Sequence, residues 1–407
     1  MTMRGWKSAL LADHCEIFSG YAFPSAGFTD DEADVHLVKG ENIGQGEVLW
    51  GISRRWPRVQ FADLHRFQLI VGDVVLAMDR PWVPAGLKFA QIGSDAPDAL
   101  VVQRVARLRA REGLASAFLP CLIASADFES YIQNAVRGVT VPHISAREIG
   151  AFSYLLPPVK TQRGIGQVRQ DFDNLIANNR RRIQLLEDSV RLLFDEWFVR
   201  RRPSAGAGGG QDHPADWRSV RASEIIDINP TTRRNDDGSL CYVPMAALST
   251  AGTTVDRSQF ERREASTSVR FIRGDTLFAR ITPCLENGKT ALAYFLDPGE
   301  VACGSTEFIV LRGREVGPGF TYCLARNEMF RESAIKSMIG SSGRQRVQTS
   351  AFDKFELAIA PQQLLDRFES MAKDCFEQIA LLARQCDRLV EARDLLLPRL
   401  MSGELTV

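Results

Sequence analysis

The feature that most constrains this chain is an internal repeat, because a duplicated segment dictates how many separate cores must form. Gly72-Asp73-Val74-Val75-Leu76-Ala77, followed by Met78-Asp79-Arg80-Pro81, returns at an offset of 202 as Gly274-Asp275-Thr276-Leu277-Phe278-Ala279, followed by Arg280-Ile281-Thr282-Pro283. Each copy reads as a Gly-Asp turn, a short β-prone apolar strand and a loop ended by proline. Further on, IGAFSYLLPP (149–158) meets FDKFELAIAP (352–361) at an offset of 203, so that Pro158 falls on Pro361. With 407 residues, each half is long enough to bury a core of its own.

A helical seam begins beyond each proline. Apolar positions run Phe172, Ile176, Asn179, Ile183, Leu186, Val190, Leu193 and Trp197 in alternating steps of four and three, with one polar member. After Pro361 the same alternation gives Leu365, Phe368, Ala372, Cys375, Ile379, Leu382, Cys386, Leu389, Arg393 and Leu396, and the 203 offset carries Ile176, Ile183, Leu186 and Leu193 onto Ile379, Cys386, Leu389 and Leu396. Heptads sustained this long predict two helices packed knobs into holes, with Asn179 and Arg393 as polar interruptions that fix register.

Between the repeats, PSAGAGGGQDHPAD (203–216) has the composition of a flexible coil. A helix of about 38 residues spans about 57 Å, so the first carries the chain away and the second must return to bury its stripe against it. The expected chain is therefore α+β: two similar mixed α/β globular domains, separated by two long antiparallel coiled-coil helices, as a pseudo-twofold internal repeat. The expected boundaries are a first domain at 1–158, a helix at 159–202, a linker at 203–216, a second domain at 217–360, and a helix with its tail at 361–407.

Chemistry that would make the chain an enzyme is not signalled. Asn229-Pro230-Thr231-Thr232 lacks the second proline and aromatic residue of an amino-methyltransferase turn, and Gly288-Lys289-Thr290 lacks the earlier glycine of a phosphate loop, Pro283 standing there; its lysine reads as solvated. Five histidines share no metal spacing, and eight cysteines form no C-x-x-C pair and read as core residues. No metal and no cofactor are expected. The formal charge is zero, which argues against a nonspecific polycation, and neither a signal peptide nor an 18-residue apolar run is evident, so a cytoplasmic location without membrane association is expected.

The two Gly-Asp strands, Leu156-Pro157-Pro158 and Ile359-Ala360-Pro361 opening the helices, LLFDEWF (192–198) closing the first and LLLPRLMSGEL (395–405) closing the second, together resemble the specificity subunit of type I restriction-modification systems. The likeness covers nearly the whole chain, and the terminal LLLPRLMSGEL is its most specific piece. One departure is that Lys160-Thr161-Gln162 and Gln362-Gln363 replace the usual glutamate-glutamine after the prolines. The resemblance implies a noncatalytic subunit whose two target recognition domains each read half of a bipartite sequence in double-stranded DNA. It also implies helices that set the spacer and dock two methyltransferase (modification) subunits, with restriction/translocase subunits in the full complex; that complex would methylate adenine and cleave DNA with ATP.

DNA binding needs cations on phosphates and Arg, Asn, Gln or Lys on base edges. The candidates lie in matched loops: Arg80 and Trp82, Arg280 and Thr282, then Arg137, Thr140 and His143 in the first half, and Ser342, Arg344, Gln345 and Arg346 in the second. The candidate seam is Ile176, Asn179, Ile183, Leu186, Val190 and Leu193 with Ile379, Leu382, Cys386, Leu389 and Leu396. The rival reading is a duplicated coiled-coil adaptor that binds protein partners and reads no DNA.

Overall fold

The computed structural model describes residues 5–83, 86–135, 142–203, 216–233, 238–264, 268–341 and 343–407. It divides into two compact units, Met1–Leu175 with Leu389–Val407, and Ile176–Arg388.

In the first unit the central sheet runs Cys15–Ser19, Val105–Ala110, Val74–Ala77, Phe89–Gln91, Gln45–Gly46. In the second the order is Ile226–Ile228, Phe308–Gly313, Thr276–Ala279, Thr290–Leu292, which is the same topology without the last edge strand. Each unit also holds a smaller sheet with a parallel pair at its heart, Val35–Val38 with Ala99–Val101 and Leu240–Val243 with Val301–Gly304. A two-stranded antiparallel ribbon ties the start of each globular part to the strand that precedes its helix, Lys7–Leu10 with Ser153–Leu156 and Arg218–Arg221 with Glu356–Ile359. The apolar run VVLA is explained by burial on both faces. Val74 and Leu76 point into one core with Leu108 and Phe118, while Val75 and Ala77 point into another with Val38 and Val101.

The Gly-Asp pairs are anchors. Gly72 and Gly274 have φ of 91° and 93°, in the left-handed region that glycine enters without a Cβ clash. Asp73 and Asp275, each 1% exposed, accept from the backbone N–H of Ile70 and Ile272 at 2.8 Å. The same carboxylates take two donors from one guanidinium, Arg109 Nε and Nη2 at 2.7 Å in the first unit and Arg312 at 2.6 and 2.7 Å in the second. A buried carboxylate requires such pairing.

The long helices are Val159–Phe194 and Gln362–Met401. Within the second unit Asn179 Nδ2 donates to Gln385 Oε1 at 3.4 Å, and the Phe194 and Phe368 rings lie 6.0 Å apart, so the two segments run antiparallel there. Within the first unit Arg393 Nη1 reaches Asp173 Oδ1 at 2.8 Å, and Val407 lies against Gly164. Of the seam positions, Ile176, Asn179, Ile183, Val190, Ile379, Leu382 and Cys386 are buried, and Leu186, Leu193, Leu389 and Leu396 are half-buried. A π-helical turn over Asp195–Val199 follows the first helix. There Phe194, Trp197 and Phe198 are all buried, and all three rings pack against Phe368.

Each globular part is seated on its helix by buried polar contacts. Gln162, with no exposed surface, accepts from Ala115 N at 2.7 Å and donates to Gly113 O and Pro157 O at 2.9 and 2.8 Å. In the second unit Glu369 accepts from the N–H groups of Gly319 and Phe320, where the helix Pro318–Arg326 begins. Glu187, 4% exposed, accepts from Thr253 N at 2.8 Å and from the Tyr322 hydroxyl. All eight cysteines are free thiols. Among the described residues no helix is long and apolar enough to cross a membrane, and no group of three His, Cys, Asp or Glu could hold a metal ion.

Candidate functional site

Where the central strand leaves each sheet, the same backbone frame is built twice. In the first unit Met78 N donates to Arg104 O at 2.8 Å, Ile144 N to Met78 O at 2.9 Å and Arg80 N to Pro142 O at 2.8 Å, with Asp79 bridged antiparallel to His143. In the second unit Arg280 N donates to Glu307 O at 3.0 Å, Val347 N to Arg280 O at 2.8 Å and Thr282 N to Gln345 O at 3.1 Å, with Ile281 bridged to Arg346. These bonds set up equivalences: Asp79 with Ile281, Arg80 with Thr282, Arg104 with Glu307, Pro142 with Gln345, and His143 with Arg346.

The side chains on that frame differ in sign. In the first unit Asp79 sits between two donors, Arg104 Nη1 at 2.8 Å and His143 Nδ1 at 2.6 Å. Burial pushes the Asp79 carboxyl up, but the hydrogen bonds from His143 and Arg104 outweigh it and hold the group below its ordinary 3.8. Arg80 is exposed, and Trp82 opens a small hairpin, Trp82–Val83 with Gly86–Leu87, its Nε1 donating to Glu129 Oε1 at 2.5 Å. In the second unit the base stays at the position of His143 and the acid stands at that of Arg104, with Ile281 in place of Asp79: Glu307 accepts from Arg346 Nε at 2.9 and 3.0 Å and from Nη2 at 2.6 Å.

Arg280 is half-buried and donates Nη2 to Val347 O at 3.2 Å, so it braces the frame from behind. Thr282 Oγ1 donates to Gln345 O at 3.2 Å. Arg344 is exposed beside Gly343, whose φ is 78°. Thus Arg80 and His143 share one cluster, with Trp82 leading out of it, and Arg280, Thr282, Gln345 and Arg346 share the other. Arg137, Thr140 and Ser342 lie outside the described residues.

The loop after Thr282 is clamped where the first unit has its hairpin. Arg326 Nη1 donates to Gly288 O at 2.6 Å, and Arg331 Nη2 to Leu285 O and Glu286 O at 3.0 Å. Burial, and after it the neighbouring Arg326, lower the Arg331 pKa from its ordinary value. Lys289 is not the solvated lysine expected from the sequence: it is half-buried and donates Nζ to Met245 O at 2.8 Å, because the adjoining strand Thr290–Leu292 draws it inward. Sequence reasoning passed over Arg104 and Glu307. Neither stands in a motif, and only the strand ladder brings them beside the loops.

No family model matches the chain. It is 30% identical over 159 residues to the type I restriction enzyme EcoAI specificity subunit of Escherichia coli, a match covering 39% of this chain and 26% of that protein, so that it spans about a quarter of that relative's length. It is 22% identical over 312 residues to the type I restriction enzyme MjaIX specificity subunit of Methanocaldococcus jannaschii, covering 73% of this chain and 71% of the relative. The crystal structure of a type I restriction-modification S subunit from M. genitalium superposes with a TM-score of 0.61 over 98% of this chain and 97% of that one. At 12% identity that likeness carries the fold alone. In sequence and in fold, this chain is a homologue of the specificity subunits of type I restriction enzymes.

Proposed function

We propose that this chain is the noncatalytic DNA-recognition subunit of a type I restriction-modification complex, each globular domain reading one half of a bipartite duplex sequence. One observation carries the reading: a single backbone frame occurs twice, with Asp79, Arg80, Arg104 and His143 on one copy and Ile281, Thr282, Glu307 and Arg346 on the other. A duplicated frame with divergent polar side chains suits two readers of different half-sites, since base edges are told apart by donors and acceptors rather than by net charge. The recognition domains are 1–158 and 217–360, the helical segments within 159–202 and 361–407 set the spacer, the first helix ending at Val199 and the second at Met401 ahead of a short tail, and 203–216 links the repeats. The helices dock two modification subunits. Leu192 and Leu395, one repeat apart and 64% and 66% exposed, support this as matched apolar contacts. Restriction/translocase subunits join in the full complex, which works in the cytoplasm.

The test is selection of duplexes from a random library by the purified full chain, followed by binding at two salt concentrations. The expected result is two short defined sequences around a spacer of fixed length, bound with a steep salt dependence. Absence of any sequence preference and of salt dependence would sink the reading in favour of a protein-binding adaptor.

A further inference from the structure

We infer that Arg104 is a specificity-determining residue of the first domain, a guanine-directed donor held in place by Asp79. The inference rests on the DNA-recognition reading above and goes beyond it by naming a side chain and the base it reads. Arg104 lies at the turn that opens the strand Val105–Ala110, and its carbonyl accepts from Met78 N in the frame of the loop cluster. Its φ is 64°, a left-handed conformation that a residue with a Cβ adopts at an energetic cost. Arg80, across the same frame, has φ of 44°. Two of the four non-glycine residues with positive φ among the described residues are therefore arginines in this one cluster. A turn that needed only its shape would be met by glycine.

The side chain has the form of a pre-set reader. It is 69% exposed, yet Nη1 is fixed on Asp79 at 2.8 Å. Among the described residues the Nε–Nη2 edge has no partner, and that edge offers the two parallel donors that match guanine O6 and N7. Asp79 is itself held by His143, so the carboxylate that aims Arg104 is fixed from its other side. An anchored guanidinium loses less freedom on binding than a free one. Among the described residues Arg80 has no such anchor, which suits it to a phosphate. The second domain makes the contrast: there Glu307 takes both Nε and Nη2 of Arg346, so the edge that Arg104 leaves open is already occupied.

The experiment compares the full chain with Arg104→Gly and Arg104→Gln by selection from random duplex, with melting measured for each. Glycine accepts the left-handed backbone, so Arg104→Gly is expected to melt at or above the parent temperature. It should nonetheless lose discrimination by roughly 5- to 150-fold at a guanine of one half-site, with the other half-site unchanged. Arg104→Gln, which keeps a polar side chain without the paired donors, should relax the same position. An unaltered motif in both variants overturns the inference, as does an equal loss on specific and random duplex, which marks a phosphate contact. If the parent chain selects no motif at all, the recognition reading itself has failed, and that outcome is visible before any variant is made.

Discussion

In the first half the amide of Gln162, fully buried on the long helix, binds three backbone groups of the globular part, and one turn later Gly166 lets the backbone of Ala117 approach so closely that a Cβ would lie 2.6 Å from it. At the offset of 203, Leu365 fills the first of these positions with hydrocarbon, and Glu369 fills the second with a carboxylate that accepts the free N–H groups of a helix start. The anchors, by contrast, are unchanged: Asp73 with Arg109 and Asp275 with Arg312 repeat the same bonds. The comparison teaches that groups tied to a fixed backbone turn survive a duplication, whereas a docking surface is re-solved as a set. Gly166 cannot take on the glutamate of its counterpart without moving Ala117.

The largest expected effect tests the shared part. Asp73→Ala and Asp275→Ala each leave a guanidinium without its partner and a buried N–H unpaired, at about 3 kcal/mol apiece. Denaturant unfolding of the full chain should show losses of similar size, each confined to its own unit; a large inequality would break the equivalence. Next comes the exchange of seats. Gln162→Leu, which copies the second half into the first, strands Ala115 N, Gly113 O and Pro157 O, and should cost about 2–3 kcal/mol by the same measurement.

Glu369 supplies a pH test of smaller size. Desolvation pushes its carboxyl above the ordinary 4.5, against the lowering by the Gly319 and Phe320 N–H groups. The folded state therefore holds the proton more tightly than the unfolded one. That stabilising contribution is full below pH 4.5 and is lost as pH rises through the folded pKa. Glu369→Gln should gain stability relative to the parent as pH rises across this window, by under about 1 kcal/mol, read from melting at several pH values. A difference that is flat with pH would show that the carboxylate is not strained by burial. The smallest effect on stability belongs to Arg346→Ala, which should leave melting unchanged and alter selection at the second half-site only; a change in the first half-site would undo the assignment of one domain to each half.

Much of the architecture was legible because periodicity is a local property. The heptad steps from Ile176 to Leu193 and from Leu365 to Leu396 lie on the two long helices, and the offset near 202 found the paired strands. Phe198 was missed because the π-turn over Asp195–Val199 adds a residue to the turn, and so brings a position outside the 3.5-residue seam to the buried side; Phe194, on the helix ahead of that turn, flanks the seam and is buried by its tertiary contacts with Phe320 and Phe368. The Gly-Asp pairs were read correctly as turns, but not as ion-pair anchors, since each partner arginine lies 36 or 37 residues away. Arg280 looked like a loop cation, and its half-buried bond to Val347 O depends on a strand pairing that no spacing announces. Arg104 and Glu307 were invisible for the same reason.

The anchor also leaves a mark in the sequence that both halves of this chain carry. A glycine held at positive φ, the aspartate after it, and an arginine 36 or 37 positions beyond that aspartate form a three-point signature whose spacing is fixed by one β-ladder. A scan for Gly-Asp and its distant arginine, required twice at a separation near 202, would pick out duplicated chains of this kind from sequence alone, and single occurrences would point to proteins that carry one half.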